Sequence, residues 1–150
     1  MGFEAPSTPQ NIMIKSLLFI ALLMFGGIYS NNSSGLRNYQ CGKCATLVKS
    51  SRTPSTLNCR AGGSHRWQDL GEVGQENYNC KKCGTLLESK RTPSSLGCPA
   101  NGSHQWNHLG HVGNVTYQCK KCGITLNNER TPSTLGCPQG GSHQWTKLGR

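Results

Sequence analysis

Acidic side chains are scarce in this chain: six Asp and Glu stand against sixteen Lys and Arg in 150 residues, a formal net charge of +10. Beyond residue 30 the acids are Asp69, Glu72, Glu76, Glu88 and Glu129. None recurs at an equivalent position of the internal repeat described below, so the chain offers no repeated general acid or base and is not expected to be an enzyme. Hydrophobic residues make up 34% and aromatics 7% of the chain, too little for one large core. Long apolar runs are also missing, apart from a single stretch at Leu17–Ile28.

What is present is sulfur in a fixed pattern. Cysteine and histidine recur as Cys-x2-Cys-x14-Cys-x5-His with a period of 39 residues: Cys41, Cys44, Cys59 and His65; Cys80, Cys83, Cys98 and His104; Cys119, Cys122, Cys137 and His143. These sets use all nine cysteines and leave only His108 and His111, which lack counterparts in the other copies and read as surface residues. A tight Cys-x2-Cys turn can put two thiolates on one metal, and a distant Cys and His complete a tetrahedron, the geometry of closed structural zinc. Disulfides fit less well, because three cysteines per repeat leave an odd thiol in each. Covalent haem attachment would need His at Ala45, Gly84 and Gly123. Three Zn2+ per chain are therefore expected, with iron as the second choice of metal.

The phase of the repeat is ambiguous locally, since His65 precedes Cys80 by the same interval that separates Cys44 from Cys59. Cutting within repeats yields three complete ligand sets, whereas cutting between them strands ligands at both ends. The modules are then 39–71, 78–110 and 117–149, joined by linkers at 72–77 and 111–116. Each is too short to fold without a metal, a disulfide or a partner. Metal binding should therefore supply most of the folding free energy.

Within a module, an Arg-Thr-Pro-Ser run precedes the third cysteine. Thr92 as N-cap, Pro93 at the first helical position and Gly97 as a left-handed stop predict one helical turn that delivers Cys98. Asn58 replaces that glycine in the first copy, and Asn101 stands where the others have Gly62 and Gly140. Both exchanges predict a positive φ. After the first cysteine pair, Gly84 and Gly123 correspond to Ala45, which implies that a left-handed backbone is dispensable there. The His-x-Trp-x-x-Leu-Gly endings predict short strands with His and Trp on one face, Tyr78, Leu96 and Leu109 completing a small core. Trp67, Trp106 and Trp145 thus read as core, with a binding surface as the other reading. Arg52, Arg91, Arg130, Lys43, Lys82 and Lys121 recur at module spacing and are candidate contacts to an anionic partner.

The N-terminal segment 1–30 reads as a signal peptide or a membrane anchor, followed by a polar linker at 31–38. Lys15 before the apolar run and a lead-in starting at Met13 suit secretion. An uncleaved anchor is the alternative, and Arg37, Lys43 and Lys49 after the run would then hold the modules in the cytosol.

At its Cys-Lys-Lys-Cys-Gly and Cys-Pro-x-x-Gly-Ser-His turns the chain resembles a zinc ribbon, two metal knuckles joined by short β-strands. The resemblance implies a small, metal-stabilised, mainly β fold: three tandem zinc-ribbon-like modules after an N-terminal hydrophobic segment. The second knuckle departs from the ribbon pattern, with Cys-x5-His in place of a tight Cys-x-x-Cys, so a treble-clef-like strand pairing remains open. For function, the repetition points to a non-catalytic, exported or membrane-tethered array that binds an anionic polymer or protein surface multivalently. A cytosol-facing nucleic-acid binder and a metal-buffering or redox-sensing thiolate protein are the alternatives.

Overall fold

The computed structural model describes residues 35–150. The segment 1–30 and its reading as signal or anchor lie outside the described residues, as does the first half of the 31–38 linker. No helix among the described residues is long and apolar enough to cross a membrane.

The described residues are mainly β. They form three small antiparallel sheets, one per repeat. The first contains β1 (Arg37–Cys41), β2 (Leu47–Ser50) and β3 (Trp67–Glu72) in the order β2-β1-β3. The second repeats it with β4 (Glu76–Cys80), β5 (Leu86–Ser89) and β6 (Trp106–His111), and the third with β7 (Val115–Cys119), β8 (Thr125–Asn128) and β9 (Trp145–Gly149). In each sheet the tyrosine of the central strand sits between two partners, Tyr39 opposite Val48 and Asp69 for example. A bulge before that tyrosine recurs at Asn38/Tyr39, Asn77/Tyr78 and Thr116/Tyr117. Residues 72–77 do not form a free tether, because Glu72 ends β3 while Glu76 and Asn77 open β4.

A module of this size buries little by itself, and the repeats solve this by stacking. Leu70 of repeat one is fully buried in a cluster with Tyr78 and Leu87 of repeat two. Backbone bonds seal the junction: Ser94 N–H donates to Leu70 O at 2.9 Å and Lys90 N–H to Glu72 O at 3.1 Å. The next junction copies them, with Ser133 N–H to Leu109 O at 2.9 Å and Glu129 N–H to His111 O at 3.0 Å. Side-chain amides follow the same rule, since Asn38 Nδ2 donates to Glu88 O at 2.9 Å and Asn77 Nδ2 to Asn127 O at 2.8 Å. The amide nitrogens are thereby satisfied, while Asn38 Oδ1 stays buried without a partner.

Three expectations change. The Arg-Thr-Pro-Ser run forms no helical turn; it stays irregular because its backbone groups are engaged elsewhere. Ser94 N–H is taken by the preceding repeat, Ser94 O accepts from Trp106 Nε1 at 2.9 Å, and Ser95 O accepts from His104 N–H at 2.7 Å. Leu96 is not core but 64% exposed, as are Leu57 at 70% and Leu135 at 66%; Leu87 in β5 of the same repeat is buried instead, against Leu70 of the preceding repeat. Ala45 does adopt the left-handed region, with φ 60°, like Gly84 at 73° and Gly123 at 76°. Left-handed backbone is thus needed at that turn in every repeat.

Candidate metal centres

Each set of three cysteines and one histidine converges on one point, and the phase is within repeats, His65 joining Cys41, Cys44 and Cys59. The first cysteine ends the central strand of its sheet. The turn after it is closed by Ala45 N–H donating to Cys41 O at 2.9 Å, with the same bond at Gly84 and Gly123. The third cysteine is fixed by a second turn in which Gly62 N–H donates to Cys59 O at 2.8 Å and Cys59 N–H to Gly63 O at 3.1 Å. Positive φ at Gly62 (82°), Asn101 (70°) and Gly140 (83°) bends that turn, as the Gly/Asn exchange predicts.

The donor atoms of each set lie within 4.8 Å of one another. Cys41 Sγ is 4.0 Å from Cys59 Sγ, and Cys44 Sγ is 3.5 Å from His65 Nδ1. The matching sulfur–nitrogen separations are 3.6 Å for Cys83–His104 and 3.5 Å for Cys122–His143. Zinc–sulfur bonds of about 2.3 Å in a tetrahedron place ligand atoms roughly 3.6–3.8 Å apart, so the side chains present fit such an ion. With four protein donors, the set is closed to a water or substrate.

The charge environment suits thiolate ligation. Burial opposes ionisation of Cys41, yet the backbone N–H groups of Cys44, Arg66 and Lys43 outweigh it and bring the thiol down to about 7. Cys119 behaves alike: burial works against the charge, the N–H groups of Cys122 and Gln144 win, and the value falls to about 6. The bond from the residue after the ligand histidine is common to all three sites, Arg66, Gln105 and Gln144 N–H each lying 3.4 Å from the first sulfur. Cys83 and Cys122 are instead pushed up to about 11, chiefly by burial and then by the neighbouring sulfurs. A cation among these groups would remove that conflict. Burial, with the Lys82 charge, also lowers His104 and favours the neutral ring a metal requires.

Contacts around the donors assign roles to several recurring residues. The tryptophans stack on the ligand imidazoles, with centroids 4.6, 4.5 and 4.6 Å apart and 19° between planes for Trp67, Trp106 and Trp145. They are half-buried and tied by their indole N–H groups to Ser55 O, Ser94 O and Ser133 O. Lys43, Lys82 and Lys121 remain exposed, but each ammonium donates to a carbonyl of the second metal turn: Gly62 O, Asn101 O and Gly140 O respectively. They clasp the two halves of the site together. Arg52, Arg91 and Arg130 are exposed and have no ion-pair partner among the described residues.

The sequence reading missed the contribution of one repeat to the next repeat's metal site. Asn79 of repeat two is fully buried, with Nδ2 3.2 Å from Nε2 of His143 in repeat three. The same Nδ2 donates to Gly136 O at 3.0 Å, which holds the amide against the ring and leaves Oδ1 buried without a partner. Ligation through Nδ1 leaves a proton on Nε2 that needs an acceptor. One repeat earlier, Gln40 Oε1 and His104 Nε2 are both buried and unpartnered, and they occupy the equivalent positions. The only sequence signal for this was an amide two residues after each bulge position, at Gln40, Asn79 and Gln118.

His108 and His111 both bond Glu76, His108 Nε2 to Oε2 at 2.6 Å and His111 Nδ1 to Oε1 at 2.9 Å. They lie outside the metal sets. Comparison of the chain with protein-family models, with curated proteins and with solved structures gives no match. The geometry itself therefore defines the protein, as a mainly β repeat array with three Cys3His clusters able to bind a metal ion.

Proposed function

We propose that the protein is a non-catalytic, zinc-stabilised array that binds an elongated anionic partner through many weak, repeated contacts. The observation that carries this reading is the ladder of Arg52, Arg91 and Arg130, exposed and without ion-pair partners among the described residues, at the same position of each stacked repeat. Most other recurring cations have structural work, the metal-turn lysines above all. The arginines do not.

Nine thiolates and three Zn2+ add about −3 to the formal +10, leaving about +7. Guanidinium groups repeated on a rigid stack bind a polyanion with avidity when its charges match their spacing. Zinc supports the stack as a structural ion, since the four-donor sets leave no open coordination position. Export, or tethering at a membrane by the segment 1–30, is part of the same reading and rests on its apolar run after Lys15.

Titrating the zinc-loaded chain with polyglutamate, a sulfated polysaccharide and duplex DNA over a salt series tests the proposal. Binding should weaken linearly in log salt, and Arg52→Gln, Arg91→Gln and Arg130→Gln should each reduce affinity several-fold and in combination nearly abolish it. Preference for DNA would favour the nucleic-acid reading, and absence of binding to every polyanion would sink both.

A further inference from the structure

The stacked array leaves two faces uncovered among the described residues, and they are the two halves of the junction used twice inside it. At the rear of repeat three, Leu148 is 56% exposed, whereas its counterparts Leu70 and Leu109 are buried at 0% and 1%. Gln118 is exposed where Gln40 and Asn79 are buried. At the front of repeat one, Pro54 and His65 are half-buried where Pro93, Pro132, His104 and His143 are buried. Among the described residues, Ser51 and Ser55 lack the cross-junction backbone bonds that Lys90, Glu129, Ser94 and Ser133 make.

We propose that the rear face of repeat three docks on the front face of repeat one in a second copy of this chain, continuing the stack head to tail. The faces match position by position. Gln118 would meet Thr46 as Gln40 meets Thr85, where the amide donates to Oγ1 at 2.6 Å. It would also reach His65, the one ligand histidine without an amide from a preceding repeat. Leu148 would lie against Val48 as Leu70 lies with Leu87. Leu148 O would accept from Ser55 N–H as Leu70 O accepts from Ser94 N–H.

Size complementarity supports the same pairing. Inside the array, long side chains of one repeat cover glycines of the next: a Cβ on Gly97 would come within 2.2 Å of Gln68 Cγ, and one on Gly136 within 2.0 Å of Asn107 Nδ2. At the free faces the larger residue has changed sides, Asn58 at the front and the shorter Thr146 at the rear. Charges do not oppose the contact. The positions that hold Lys49–Glu88 and Glu72–Lys90 between repeats one and two would bring Asn127 to Lys49 and Arg150 to Ser51. Such a contact is heterologous, so it builds a filament unless its rotation closes a ring. A rear-to-rear contact would set Leu148 on Leu148 and leave the front donors unused.

Two differently tagged full-length copies, co-expressed, extracted in detergent and zinc-loaded, test this directly. Wild-type copies should co-purify. Leu148→Lys paired with itself, and Val48→Lys paired with itself, should each lose about tenfold or more of the recovered partner. Leu148→Lys mixed with Val48→Lys should restore it, because one intact rear and one intact front remain. Each variant is checked for three bound metals; if either fails, Gln118→Arg and Ser51→Arg, both at exposed positions, replace them as rear and front blocks. The proposal is overturned if wild-type copies do not associate, if the self-paired variants associate as well as wild type, or if the mixed pair does not recover association.

Discussion

Ala45 holds a backbone that its side chain disfavours. Its φ of 60° lies where Gly84 and Gly123 stand in the other repeats, and a non-glycine residue there costs roughly 1–2 kcal/mol. Ala45→Gly should relieve that strain at the expense of extra freedom in the unfolded chain, a net stabilisation of about 0.5–1 kcal/mol. A rise in the urea midpoint of the zinc-loaded protein at unchanged m would register it. Had the left-handed turn been dispensable, as alanine at this position suggested, the substitution would destabilise.

The Glu76 pair of histidines gives a second residue-scale prediction. His111 is raised above its ordinary value, first by its bond to Glu76, and Glu76 is lowered, first by His111 and then by His108. A raised histidine contributes stability that is complete below its unfolded pKa and is lost as pH rises through the folded value. A depressed carboxylate contributes above its unfolded pKa and loses it as pH falls through the folded value. The cluster should therefore help most in mildly acidic solution, between those limits. Comparing Glu76→Gln with wild type at pH 6 and pH 8 checks this: the variant's deficit should be larger at pH 6. It should stay small, because these side chains are 32–52% exposed and solvent screens them.

At the scale of elements, the junction between repeats is where stability and metal binding meet. The close of β6 accepts backbone bonds from Glu129 and from Ser133 of the next repeat's Arg-Thr-Pro-Ser run, while Asn79 in β4 reaches His143. Asn79→Ala should weaken zinc in repeat three by about 10-fold or more, as removal of an outer-shell partner typically does. It should leave repeat one unchanged. Metal exchange in the folded, zinc-loaded array, followed site by site through the ring signals of His65, His104 and His143, would detect a loss confined to the last site. Equal weakening of all three would mean that the amide acts only through global stability.

Elements also mark the limits of sequence reading. The ligand sets, the strands after each histidine and the left-handed loops at Asn58 and Asn101 were legible, because spacing and glycine exchange are local signals. The leucine before each third cysteine was misplaced as core. Nothing local distinguishes Leu96, which faces solvent, from Leu87, which packs against Leu70 of the preceding repeat. The helical turn failed for a similar reason: Thr92-Pro93 has the chemistry of a helix start, but the preceding repeat offers the backbone better-placed acceptors.

For the molecule as a whole, the three candidate metal sites and two junctions lie in one compact unit among the described residues. Chelating the metal should unfold all three sheets together rather than one repeat at a time. Far-ultraviolet circular dichroism during zinc titration should show one sharp transition and a final count of three ions per chain. Three separate steps would mean that the junctions couple the repeats weakly. Acidification should have the same effect as chelation, because protons compete for the nine thiolates and three imidazoles.

The amino-acid sequence by itself determined where the metals can bind, since a tetrahedral site is specified by donor identity and spacing along a short loop. It also determined the strands after each histidine and the positive φ at Asn58 and Asn101, but not the one at Ala45. Only the tertiary structure decided that the repeats stack instead of hanging from tethers, that buried Gln40 and Asn79 serve the next repeat, and that Leu148 and Gln118 are left facing outward. Those outcomes depend on contacts between different repeats, from Leu70 with Leu87 to Asn79 with His143, where the energy comes from one repeat excluding water from its neighbour and no local pattern records the match.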